Sequence, residues 1–132
     1  MSIKSICGVI ITTDKMNEIV AFYRDVLGLP LSREEHGGLE VHYGVDLGNV
    51  HFAIHPLASF GETQPGNATT KIAFEVDSLA DQLHKLSDAG LRSEQEPHDE
   101  GFGPLASVRD PDGNLIELVE LRYEFASPSP AR

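Results

Sequence analysis

The sequence predicts an α+β fold of two βαβββ modules, whose paired, curved mixed sheets enclose a cavity. Three observations predict it: an internal repeat of strand, capped helix and three short strands; a Gly-, Pro- and Thr-rich stretch between the copies; and a length of 132 residues. That length supports one domain with a sizeable core but not two independent ones. A four-stranded sheet with one helix on its back keeps an open front, so two such sheets complete a cavity within one chain or across a dimer.

In the first copy a strand around Val9–Thr12 leads through Asp14 into a helix that ends at Leu27-Gly28-Leu29. Ile19, Val20, Tyr23, Val26 and Leu27 recur there at helical spacing. In the second copy Ile72–Val76 leads through Asp77-Ser78 into a helix that ends at Ala89-Gly90-Leu91, with Leu79, Leu83 and Leu86 as its apolar stripe. Asp14 or Thr13, and Ser78, stand where N-caps belong, and Ser78-x-x-Asp81 resembles a capping box. Gly28 and Gly90 stand where left-handed C-caps belong.

Strand-like runs follow each helix: Leu31–Glu34, Leu39–Asp46 and Val50–His55, then Arg92–Glu96, Leu105–Arg109 and Asn114–Leu121. Module one is placed at 3–56, a linker at 57–70 and module two at 71–122, within a domain spanning 1–125. Residues 126–132, with two Ser-Pro pairs, read as a disordered tail.

Composition removes several function classes. The formal charge of −11 argues against nucleic acid, whose phosphates need clustered Lys and Arg. No apolar run approaches the ~20 residues of a membrane span, and Met1-Ser2-Ile3-Lys4 lacks a signal-peptide core. The single Cys7 excludes an intrachain disulfide and suits a cytoplasmic protein. No phosphate loop, dinucleotide fingerprint or Ser-His-Asp arrangement is visible.

Asp110-Pro111-Asp112-Gly113-Asn114 reads as a tight turn between strands: Pro presets φ and Gly accepts the exit conformation. In the strand that follows, Glu117 alternates with Leu115, Val119 and Leu121 on one face. A carboxylate among apolar neighbours needs a cation or hydrogen bonds opposite it.

Phe22-Tyr23-x-x-x-Leu27-Gly28-Leu29 and Asp110-Pro111-Asp112-Gly113-Asn114-x-Ile116-Glu117-Leu118 together resemble the vicinal oxygen chelate superfamily. This is the superfamily of glyoxalase I, the bleomycin resistance proteins and the extradiol dioxygenases. The resemblance runs from about Ile3 to Leu121. It implies the glyoxalase/bleomycin resistance/dioxygenase fold, a small-molecule ligand and a homodimer; activity varies within such a fold. In the superfamily's enzymes a divalent metal is held by one side chain from the first strand and one from the last strand of each module. His, Gln or Glu fill those positions.

On this resemblance Glu117 fills the last-strand position of module two, and Lys71 stands at its first-strand position. An ammonium has no lone pair for a metal. Cys7 takes the first-strand position of module one. The last-strand position falls on Phe52, or on His51 if the register slips by one.

A metal-free reading follows, in which Lys71 and Glu117 form a partly buried ion pair and act as the catalytic residues of any chemistry. Lys71 would steady an enolate and Glu117 would shuttle the proton. Phe52, His42, Phe102 and Cys7 are the expected ligand-binding residues, with the loop 98–104 read either as a lid that lays Phe102 over the ligand or as a plain connection. The alternative is one divalent ion such as zinc, nickel, manganese or iron on Glu117, His51 and Cys7. It would polarise substrate oxygens for a lyase, epimerase or dioxygenase reaction. If Phe52 enters the cavity, His51 and His55 point away from it; His36 and His84 read as solvated. The protein expected is thus a metal-free small-molecule binder of the bleomycin-resistance type, with the metal-dependent enzyme as its alternative.

Overall fold

The computed structural model describes residues 2–35, 40–65 and 70–122. The chain divides into two compact units: Met1–Thr70 together with Asp110–Asn114, and Lys71–Arg109 together with Leu115–Arg132.

The first unit runs β1 (Gly8–Thr13), α1 (Met16–Val20), β2 (Ser32–Glu34), β3 (His42–Leu47) and β4 (Val50–Pro56). The sheet order is β1-β4-β3-β2, with β1 parallel to β4 and the other pairs antiparallel. Helix α1 passes directly into a π-helical stretch, Ala21–Val26. Its buried stripe of Ile19, Val20, Phe22, Tyr23 and Leu27 forms one wall of the core. Gly28, at φ 85°, turns the chain out of the helix in the left-handed conformation expected of it.

The second unit runs β5 (Ile72–Glu75), α2 (Leu79–Asp88), β6 (His98–Asp99), β7 (Pro104–Arg109) and β8 (Leu115–Val119), in the sheet order β5-β8-β7-β6. Ser78 Oγ accepts from Asp81 N, and Glu120 Oε1 from Leu79 N. Together they satisfy two of the amides that a helix start leaves open.

Two elements depart from expectation. The strand read at Arg92–Glu96 forms instead at His98–Asp99, because pairing with β7 puts His98 opposite Leu105. Leu83 is half-buried rather than core; Leu79 and Leu86 carry the helix's packing. Residue 39 and the tail at 126–132 lie outside the described residues.

The Asp-Pro-Asp-Gly-Asn turn belongs to the first unit although its flanking strands belong to the second. The Asp110 carboxylate explains why. Its Oδ1 accepts from Asp112 N and Asn114 N, and its Oδ2 from Asn114 Nδ2 and Tyr23 Oη. Four donors make up for the cost of burying this side chain among the core residues.

Candidate functional site

In the second unit, Glu117 sits on β8 between Ser107 of β7 and Ala73 of β5. The expected Lys71–Glu117 ion pair is not formed: no contact within 4 Å joins them, and Lys71 is exposed. The register is the reason. The residue opposite Glu117 is Ala73, so Lys71 stands two positions back, before β5 begins.

The charged group that senses Glu117 is His98. Its pKa is raised chiefly by the hydrogen bond to Glu100 Oε1 at 2.9 Å, with lesser contributions from the Glu96 backbone and the Glu117 charge. Phe102 lies half-buried in the neighbouring loop, and its carbonyl accepts from Arg122 N at 2.8 Å. Asp99 accepts from Gly101 N and Gly103 N and pairs with Arg122, so this segment is tied down at several points rather than hinged.

In the first unit, Phe52 is buried with its ring 5.4 Å from that of Tyr23. It therefore faces the helix, not a ligand. Because side chains alternate along a strand, His51, Ala53 and His55 take the opposite, front face. This inverts the expectation that Phe52 enters the cavity and the two histidines leave it.

Register also fixes the module counterparts. Ala73, four residues before Asp77, pairs with Glu117; Ile10, four before Asp14, pairs with Ala53. Glu117's counterpart is thus Ala53, neither Phe52 nor His51. Lys71, six residues before Asp77, corresponds to Gly8, six before Asp14. Cys7 is one position away from that place; it is exposed, and it meets His51 only by its carbonyl, which accepts from His51 N at 2.9 Å.

The residues at the four counterpart positions decide whether a metal fits there. Gly8 and Ala53 have no donor, Lys71 carries an ammonium, and Glu117 alone offers a ligand atom. Among the described residues no three His, Cys, Asp or Glu side chains are grouped to hold an ion. At the four counterpart positions, then, Glu117 is the one side chain suited to ligate an ion.

The chemistry of the first unit is concentrated instead on the front face of β2, β3 and β4. His42 is buried, and its ring stacks on that of His55 at 4.0 Å and 11°. Its Nε2 lies 3.2 Å from Glu34 Oε2, while its Nδ1 is 2.9 Å from the Glu40 carbonyl. His51 Nε2 lies 3.5 Å from Glu34 Oε1, and its Nδ1 is 2.7 Å from Asp46 Oδ1. Phe60 packs edge-on against His55, with ring centroids 5.3 Å apart.

Gly44 lies beneath this cluster. A Cβ there would stand 2.3 Å from Glu34 Oε1 and 2.6 Å from His51 Nε2. Its φ is not positive, so space and not backbone conformation is what the glycine provides.

Of the ligand residues expected from sequence, His42 alone belongs to this group. Glu34, Asp46 and Gly44 were missed because each becomes notable only through cross-strand pairing. The alternation Val50-His51-Phe52-Ala53-Ile54-His55 did hold the signal, once the aromatic is assigned to the helix side.

Comparison with known proteins agrees with this architecture. Residues 5–118 match the family model of the Glyoxalase/Bleomycin resistance protein/Dioxygenase superfamily. The uncharacterized protein YraH of Bacillus subtilis is 32% identical over 114 residues, covering 77% of this chain and 87% of its own. A lactoylglutathione lyase of Salmonella typhimurium is 30% identical over 111 residues, covering 78% and 82%. Among solved structures, TnmS3, an antibiotic binding protein from Streptomyces sp. CB03234, superposes with a TM-score of 0.73 at 18% identity, covering 92% of this chain and 98% of its own. Sequence and fold agree: the chain belongs to the Glyoxalase/Bleomycin resistance protein/Dioxygenase superfamily.

Proposed function

We propose that this protein is a metal-free, small-molecule-binding member of its superfamily, acting as a cytoplasmic dimer. The observation that carries the reading is the donor set: Gly8, Ala53 and Lys71 occupy three of the four positions where the superfamily's enzymes hold their ion. A protein that relied on that ion would need lone pairs there. The acidic composition and the ionisable front face of the first unit fit recognition of a polar organic ligand. TnmS3 carries binding of an antibiotic in its name; the corresponding role here is part of the proposal.

Elemental analysis by mass spectrometry, after incubation with zinc, nickel, manganese or iron, tests it. The expected result is no bound metal under any condition. Near-stoichiometric metal that disappears in Glu117→Ala would overturn it. Size-exclusion chromatography with light scattering tests the dimer.

Two findings favour a second reading, a metal-dependent lyase. Glu117 is retained, and the Salmonella lactoylglutathione lyase is similar over most of its length. Glutathione-dependent methylglyoxal turnover that depends on added metal and on Glu117 would establish it.

A further inference from the structure

We propose that Asp99 and Arg122 form a latch that holds the tip of the β6–β7 hairpin closed, and that its release frees residues 99–103 together. The latch lies wholly in the second unit and works whether or not the protein binds a metal.

The tip is poorly equipped to hold its own shape. β6 is two residues long, with His98 and Asp99 opposite Leu105 and Pro104. Glu100, Gly101, Phe102 and Gly103 join it to β7, and the two glycines take φ 119° and 134°. Glycine loses more conformational freedom on ordering than any other residue. Residues 99–101 are exposed, so little apolar burial offsets that cost.

Polar contacts supply the order, and those of the two glycines converge on two side chains. Asp99 Oδ1 accepts from Gly101 N at 2.7 Å and from Gly103 N at 3.3 Å. Asp99 Oδ2 pairs with Arg122 Nη2, and Arg122 Nη1 donates to the Gly101 carbonyl at 3.3 Å. One carboxylate thus meets both glycine amides, and one guanidinium holds that carboxylate. The hydrogen bond from Gly101 N above all, then those from Arg122 and Gly103, keep the Asp99 carboxyl below its ordinary pKa against the opposing effect of burial. The charged form is the one the tip uses.

The backbone brings Arg122 to this place. Glu120 N donates to the Pro104 carbonyl at 3.0 Å and Arg122 N to the Phe102 carbonyl at 2.8 Å. These bonds carry the pairing of β8 with β7 beyond Val119 to the hairpin tip. Gly103 permits the approach, because a Cβ there would collide with the Glu120 carbonyl. β6 is the edge strand of its sheet, so the latch also steadies the strand that carries His98, the group that senses the Glu117 charge.

Exposure sets the range of the effect. The Arg122 and Asp99 side chains are 56% and 34% exposed, and pairs so open to water add little to global stability. The latch therefore governs local opening, not unfolding of the unit.

Amide exchange followed by NMR on the full chain tests this, with chymotrypsin cleavage after Phe102 as a second readout. Arg122→Ala is expected to speed exchange at Gly101 and Gly103 by about tenfold or more, while amides within β7 and β8 keep their wild-type rates. Cleavage after Phe102 should rise in step, since it follows the population of the open form. Adding Arg122→Ala to Asp99→Ala should change little further, as expected of two side chains that act as a unit. Unchanged exchange at Gly101 and Gly103 in Arg122→Ala would overturn the latch. So would an equal rise throughout β7 and β8, or full additivity of the two substitutions.

Discussion

Tyr23 and Asp110, 87 residues apart in sequence, are joined by a buried hydrogen bond of 2.7 Å from the phenol to Oδ2. The bond fastens the Asp-Pro-Asp-Gly-Asn turn to the π-helical end of α1, within the unit that contains β1 to β4. Burial, then the Asp110 charge and the hydrogen bond to it, push the Tyr23 pKa far above that of a free phenol. Removing the hydroxyl in Tyr23→Phe leaves Asp110 short of one donor and should cost about 1.5–3 kcal/mol in urea denaturation. The sign of the pH effect follows. The unfolded chain ionises near pH 10.0 while the folded one does not, so stability from Tyr23 is lost above that pH. Alkaline unfolding of Tyr23→Phe should lack this component.

Asp112 in the same turn is a liability by contrast. Its side chain is 1% exposed, and Lys15 Nζ reaches its Oδ1 only at 4.0 Å. Burial, above all, raises its pKa and the Asp110 charge adds to the effect, while a hydrogen bond with Thr13 and the Lys15 charge oppose it. A raised folded-state pKa means that ionised Asp112 opposes folding at neutral pH. The penalty disappears as pH falls through the carboxylate range. Asp112→Asn keeps a turn-compatible residue and should raise Tm at pH 7, with the gain shrinking toward pH 4. An unchanged or lower Tm at pH 7 would show that the Thr13 hydrogen bond and the Lys15 attraction outweigh the burial.

Near Glu117, the His98 pKa is raised mainly by Glu100. Glu100→Gln should return it toward the ordinary histidine value in NMR titrations, while Glu117→Gln should lower it by less. In the wild-type protein the small stabilisation from charged His98 is present at acidic pH and fades as pH rises through its folded pKa.

Phe52 separates core from site. Phe52→Ala should cost about 3–5 kcal/mol through the cavity left against Tyr23. His51→Ala, on the half-exposed front face, should leave the unfolding free energy within about 0.5 kcal/mol of wild type. Equal losses for both would mean that His51 is a packing residue.

The repeat, the helix caps and the turn were legible in the sequence because each depends on local chemistry. Ser78 caps what lies three residues ahead, and Gly28 adopts the one conformation that ends a helix there. Membership of the superfamily was legible for the same reason, since its motifs are a helix end and a turn. The face of each strand was not. A shift of one residue exchanges the two sides of a sheet. Whether Phe52 or His51 lay beside the site therefore depended on where Tyr23 packs.

Glu34, Gly44 and His51 come from three strands, and Tyr23 meets a turn near the other end of the chain. Local propensity carries no record of such partners, because cross-strand register is set by which apolar side chains the core accepts. The sequence by itself determined that two βαβββ modules form; only the tertiary structure decided that Ala53 is the counterpart of Glu117 and that the ionisable cluster belongs to the first unit.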